Sequence, residues 1–482
     1  MHKKISLLLF LSASLFCLLL GGVTQVRAEN LQLKTPYQQR LAAPDSFGSP
    51  IPRTGDQKLL VLLVDFPDLA GKFSGASWFD RFFGNNSFAS FYNEVSYQQL
   101  RYSGTIVGLS AGIPVSNSND VAYIRLPNPI TYYADGNHGF TVGPQQFPKN
   151  SGGVVYHALQ ALDTAGFDFS PYADPGSNRV ENLIVIFAGS SFAATRDNVN
   201  SLEATAYSLN FAGLQSSYTS SGGQVFDNYT FCPDQRGALS GEPGYIGICA
   251  HEHGHGLGMP DLYDYGYTTS GAGKFDLMAY GNAYSDSPFH FGAFSKQFYG
   301  WVTPTVLATG SYSLTLGPVE SGANVIKLFP NGDSTSQEYF LLENRQVLGF
   351  DQDWITQGLC SGLVIWHIDR TITENGSYFF GVNSRPPYSN APPHPGVTVV
   401  EADGDSAMIQ APIDYGQCAD LWQPGRTWDA TSLPSSNLWT EATSKLAVKV
   451  VASIDNSLVL SVTVGDPVEI PSQFVFLPLV VR

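Results

Sequence analysis

Charge is what this chain has least of. Only 14% of its 482 residues are Asp, Glu, Lys or Arg, against a usual share of about 25%. Positive charge is scarcer still: 25 Lys and Arg face 41 Asp and Glu, for a formal charge of −16. So acidic a surface lacks the basic patches that nucleic acids and anionic membranes require, and neither is an expected partner. Cysteine is rare, with 5 in the chain and no Cys-x-x-Cys pair. That argues against a thiolate metal cluster and a thioredoxin-like redox site. Beyond the leader there is no apolar run of the ~20 residues that a membrane span needs. Repeats, collagen periodicity and coiled-coil heptads are also missing. Glycine, serine, asparagine and aromatics fill the gap, a composition that suits an exported, β-rich globular protein.

What is present begins with that leader. Met1-His2-Lys3-Lys4 is basic, Ile5 to Leu20 is apolar, and Val26-Arg27-Ala28 has the small residues of a signal-peptidase site. Residues 1–28 are therefore expected to be a signal peptide, and the protein to be secreted. Cys17 leaves with it. Cys232, Cys249, Cys360 and Cys418 remain, an even set outside the cytoplasm. Local pairing, Cys232–Cys249 and Cys360–Cys418, is the expectation.

Along the rest of the chain, Pro36, Pro44, Pro50 and Pro52 mark 29–56 as a prosegment or linker. Leu59 to Val64 and Leu183 to Gly189 are unbroken apolar runs, the pattern of strands buried on both faces. Phe91 to Glu94 reads as a short helix. Val154 to Leu162 has helical periodicity, with Gly152-Gly153 before it. From about residue 300 the signals become short alternating strands, such as Tyr312 to Leu316 and Ser457 to Val464. The expected class is α+β: a mixed sheet with an active-site helix over 57–305, then a β-rich half over 306–467. The tail 468–482 holds an apolar run, Phe474 to Val481, too short to span a bilayer.

The chemistry is concentrated at His251-Glu252-His253-Gly254-His255. Positions i and i+4 share one helix face, so His251 and His255 can hold one metal with Glu252 beside them. Gly258 can end the helix and let the chain double back, which brings Asp261 toward the metal. Asp264 competes for that place. His253, on roughly the other face, is left out. The whole reads H-E-x-x-H-x-x-G-x-x-D, a metzincin-like pattern with Asp for the last His, and Met278 sits where a Met-turn would floor the site. Two imidazoles and a carboxylate suit Zn²⁺ with an open position. Glu252 is then the general base, and Tyr280 a candidate donor to the oxyanion. Against the helix stand Gly254, Gly256 and Gly258, each costing about 1 kcal/mol relative to Ala, unless packing demands close approach.

These residues resemble the immune inhibitor A family of secreted bacterial zinc metallopeptidases. The resemblance runs from roughly Lys58 to Gly404. It is carried by Leu59 to Phe66, Phe91 to Tyr97, His251 to Asp264, Asp276 to Gly281, Gly300-Trp301-Val302, Leu342 to Arg345 and Trp366 to Asp369. It implies a zinc endopeptidase acting on proteins or peptides, exported as a proenzyme, often with bound calcium. Asp65, Asp403 and the acidic balance leave Ca²⁺ open without naming its ligands. A monomer is expected. Two rivals are weaker. Gly108-Leu109-Ser110-Ala111-Gly112 fits the G-x-S-x-G of a serine hydrolase, but Ile113-Pro114-Val115 after it is a poor helix start. A β-rich binding protein with a vestigial metal site would not need Glu252. His367 and Asp369 share one face of a strand and are read as a structural strand end.

Overall fold

The two unbroken apolar runs of the first half become neighbours in one sheet. The computed structural model describes residues 51–192, 201–237, 241–378, 381–386, 388–410 and 414–466. The leader, most of the segment 29–56 and the tail 468–482 lie outside the described residues. Strand β1 (Gly55–Asp65) pairs in parallel with β2 (Leu100–Ser110) on one side and β5 (Leu183–Ser190) on the other. The short β4 (Ile124–Arg125) also joins β1. The sheet continues through β7 (Asn228–Gln235), parallel to β5, and ends in antiparallel β6 (Thr205–Ser208). At the opposite edge, β3 (Ile113–Ser116) returns antiparallel to β2, giving the order β3-β2-β1-β5-β7-β6. A central parallel strand is covered on both faces, which is why Leu59 to Val64 can be apolar throughout.

The β2–β3 hairpin disposes of the serine-nucleophile pattern. Ala111 and Gly112 turn with φ of 50° and 79°, the left-handed pair that two-residue hairpins favour. Ser110 thus ends an exposed hairpin strand and does not enter a helix.

Helices α1 (Gly75–Phe83) and α2 (Phe88–Val95) lie on β2, burying Trp78, Phe82, Phe88, Phe91 and Tyr92. Helix α3 (Ser151–Thr164) starts earlier than its periodicity predicts. Asn150 caps it by accepting from the Gly153 N–H, so Gly152-Gly153 lie in the first turn. A Cβ on Gly153 would stand 1.8 Å from the Pro148 carbonyl, so packing requires the glycine that propensity would discourage. Helix α4 (Ile246–Gly256) carries the H-E-x-x-H stretch and packs on β7 and β6. Helix α5 (Ala293–Tyr299) follows it.

The described residues after 304 form two larger sheets. One sheet runs β8 (Thr305–Leu307), β10 (Val325–Leu328), β11 (Glu338–Arg345), β12 (Gly362–Asp369) and β13 (Val397–Val399). The other is antiparallel: β9 (Gly310–Leu316), β16 (Ser457–Val464), β15 (Leu446–Ile454) and β14 (Thr427–Trp428). Strand β9 alternates in burial, but β11 and β12 are buried along their whole length. Buried charge there is networked: Arg345 is fully enclosed and paired with Asp351 at 2.6 Å. Among the described residues no helix is long and apolar enough to cross a membrane.

Of the two expected disulfides, Cys360–Cys418 is formed. Cys232 on β7 and Cys249 on α4 are free and buried, which corrects the expectation of a second bridge. They face each other inside an apolar core. Burial pushes the Cys232 thiol well above its ordinary value, so the thiolate that oxidation requires is suppressed.

Candidate metal centre

Glycines make α4 possible where it is. A Cβ on Gly254 would lie 2.6 Å from Met278 Sδ and 3.1 Å from the Tyr299 hydroxyl, and one on Gly247 2.4 Å from the Ala283 carbonyl. The helix gives up about 1 kcal/mol per glycine and gains direct contact with the segment carrying Met278. Its C-terminal carbonyls are satisfied from the start of the described chain: Ile51 N–H donates to Gly256 O, and Arg53 Nε to Leu257 O. The end is sharp. Gly258, at φ 100°, turns the chain so that Met259 N–H donates back to Gly254 O, and Asp261 returns beneath the helix.

Asp261 Oδ1 then stands 3.0 Å from His251 Nε2 and 3.3 Å from His255 Nε2. The opposite ring nitrogens point at backbone carbonyls: His251 Nδ1 is 2.8 Å from Leu277 O, and His255 Nδ1 is 2.8 Å from Met259 O. A carbonyl can only accept, so each neutral ring carries its proton on Nδ1 and turns its Nε2 lone pair inward. Two lone pairs and a carboxylate oxygen thus converge, all within 4.8 Å of one another. Asp261 Oδ1 is buried and receives no hydrogen bond, while Tyr265 donates to its other oxygen at 2.8 Å. Three mutually repelling acceptors fit a bound cation.

Charge at the site follows this crowding. Burial disfavours protonated imidazoles, yet the Asp261 carboxylate outweighs it and raises both His251 and His255. Burial also opposes ionisation of Asp261, but the imidazoles hold it far below the carboxylate range. Glu252 keeps part of its surface open. Even so, enclosure by protein pushes it up to about 8, with His251 pulling down and Asp261 and Glu203 pushing further up.

The neighbours sort into separate tasks. Asp264, the rival to Asp261, is spent on its own loop: it accepts from the N–H groups of Gly266, Thr268, Thr269 and Arg385. Asp276 shapes the floor, accepting from Met278 N–H, Gly292 N–H and the Ser295 hydroxyl. Tyr280 packs against Tyr415 and Tyr263, with ring centroids 4.4 and 5.8 Å away. His253 faces the other way, its Nε2 2.7 Å from the Tyr102 hydroxyl and its Nδ1 3.2 Å from Thr230 Oγ1. His367 is stacked on Phe340 and Trp439 and bound to Glu338, and Asp65 is paired with Arg125. Sequence reasoning missed Tyr265, and also Glu203, whose charge raises Glu252. No spacing rule points to them.

On an α+β framework, a helix-borne histidine pair, an adjacent glutamate and a returning aspartate form the donor set that a metallopeptidase would use. Comparison with known families narrows the class. Residues 197–303 match the model described as immune inhibitor A peptidase M6, catalytic domain, so the resemblance read from the motifs holds over the stretch that carries this site. No curated protein matches the chain.

Proposed function

We propose that the protein is an exported zinc endopeptidase. The observation that carries this reading is the convergence of His251 Nε2, His255 Nε2 and Asp261 Oδ1, with Glu252 next along the helix. Two imidazoles and one carboxylate would hold the ion and leave a position open. When bound, zinc supplies a Lewis acid that acidifies water and polarises a peptide carbonyl.

The protein's own groups do the rest. The Leu277 and Met259 carbonyls keep both imidazoles in the tautomer whose lone pairs face the centre, and Tyr265 orients Asp261. Glu252 takes the proton from the attacking water and returns it to the leaving amine. Its raised affinity for a proton suits that shuttle, because a base poised near working pH both accepts and releases. Tyr280 is the proposed donor to the developing oxyanion; burial keeps its phenol protonated. The leader sequence and the Cys360–Cys418 bridge support export. Protein or peptide chains are the substrates.

The test is hydrolysis of an unfolded protein by the secreted form. A zinc chelator should abolish activity and added Zn²⁺ restore it, with Glu252→Ala inactive but still binding zinc. Activity that survives chelation and yields to a serine-directed reagent would sink the reading.

A further inference from the structure

Tyrosines gather beside the candidate metal centre, and their burial divides them. Tyr265 and Tyr388 are 3% and 7% exposed, with ring centroids 5.6 Å apart, and form the base of the cluster. Tyr263, Tyr267, Tyr280 and Tyr415 stay partly open to solvent and tile against one another. Tyr263 lies 6.1 Å from Tyr267, with planes 27° apart, and 5.8 Å from Tyr280. Tyr280 is in turn 4.4 Å from Tyr415. A packed core accounts for the buried rings. A contiguous row that keeps aromatic surface in water calls for another reason.

The row is continuous with the metal ligands. Tyr265 donates to Asp261 Oδ2 at 2.8 Å and meets the Tyr263 ring edge-on at 5.4 Å. Leu262 N–H donates to Met278 O, so the segments carrying Tyr263 and Tyr280 are held side by side. Burial raises the Tyr267 phenol, and the charges of Asp261 and Glu203 raise it further. His251 and Glu252 are also partly open, so solvent reaches both the centre and the rings beside it. The row is rigid as well. Tyr267 has φ of 52°, in the left-handed region that a large residue seldom adopts. Asp264 pins its loop by accepting from the N–H groups of Gly266, Thr268, Thr269 and the distant Arg385. Strain held in place beside a reactive centre points to a binding element.

We propose that the row of Tyr263, Tyr267, Tyr280 and Tyr415 receives an aromatic side chain of the substrate, next to the scissile peptide bond. The inference rests on the endopeptidase reading and names the substrate class that reading leaves open. Rings spaced 4.4 to 6.1 Å apart take a further ring in offset or edge-on contact. Tyrosines do so with little side-chain entropy to lose. The carboxylates of this stretch are already engaged, Asp264 by its own loop and Asp261 by the imidazoles, so a basic side chain is not the one selected.

The test uses the full secreted chain carrying Glu252→Gln, so that binding is read without turnover. Acetyl-Ala-Ala-Phe-Ala-Ala-amide and its all-alanine counterpart are titrated calorimetrically into the zinc-supplemented protein. The Phe peptide should bind about tenfold tighter or more. Adding Tyr267→Gly should abolish that preference, and adding Tyr415→Ala should reduce it severalfold, with zinc content unchanged in both. Glycine suits the left-handed φ, so Tyr267→Gly removes the ring and keeps the loop. With Glu252 intact, cut sites mapped by mass spectrometry in an unfolded protein should show Phe, Tyr or Trp enriched at one position flanking the bond. Selective binding without any hydrolysis would remove the peptidase reading and leave the subsite standing. Equal binding of the two peptides, or a Phe preference that survives both tyrosine substitutions, would overturn the subsite.

Discussion

The two faces of helix α4 hold the same side chain for opposite purposes. His251 and His255 give their Nδ1 protons to backbone carbonyls and aim lone pairs at a carboxylate oxygen. His253, one turn-face away, sits among Phe88, Tyr92 and Tyr102 with a hydroxyl at each ring nitrogen. The first pair is raised toward protonation by Asp261; His253 is driven down to about 3 by burial. An imidazole's task is thus assigned by the partner of its second nitrogen. A carbonyl there frees a lone pair for a cation, and a pair of hydroxyls consumes the ring as a neutral strut.

This contrast can be broken in several ways. The largest effect belongs to the metal face: Glu252→Gln should lower turnover on an unfolded protein by about 10³-fold or more while zinc content stays unchanged. His255→Ala should lose both activity and zinc, read by elemental analysis of the purified protein, with the fold retained. Equal zinc in His255→Ala and the parent would erase the distinction between the faces.

The strut face should answer in stability instead. His253→Ala leaves a cavity and strands the Tyr102 and Thr230 hydroxyls, at an expected cost of about 3 kcal/mol in chemical denaturation. Zinc stoichiometry should not change. A variant as stable as the parent would show that the aromatic cage closes without the ring.

Acid sharpens the same point. His253 has a folded value near 3, below the usual ~6.5. Protonation therefore favours the unfolded chain, so its stabilising contribution is complete above pH ~6.5 and is lost as pH falls toward ~3. Between pH 6.5 and 4 the parent should lose roughly 3 kcal/mol more than His253→Gln. Parallel curves for the two proteins would refute it.

The smallest effect tests positioning. Tyr265→Phe removes the hydroxyl that holds the outer oxygen of Asp261. Zinc affinity should fall about tenfold, with little change in melting temperature of the zinc-free protein. Unchanged affinity would mean that backbone alone orients the carboxylate.

Much of the scaffold was legible because its signals are local. Continuous apolar runs marked β1 and β5, and alternation located β9 and β16. The periodicity starts helix α3 late because Gly152-Gly153 read as breakers, whereas the Pro148 carbonyl leaves no room for a Cβ on Gly153. The glycines of α4 posed the same difficulty, resolved by Met278 and Tyr299 lying where a Cβ would be. Cys232 and Cys249 met as expected but as thiols, since an apolar core suppresses the charged form that would couple them.

The chain alone determined the spacing of His251, Glu252 and His255 on one helix, and the glycine that turns the chain after them, because helical periodicity and a positive φ depend on neighbours in sequence. Only the tertiary structure set Asp261 rather than Asp264 between the two imidazoles and gave His253 its separate task. Those outcomes rest on Leu277, Tyr102, Thr230 and Arg385, which stand far along the chain from the side chains they direct. Hydrogen-bond partners and burial belong to the packed molecule, and no local pattern encodes them.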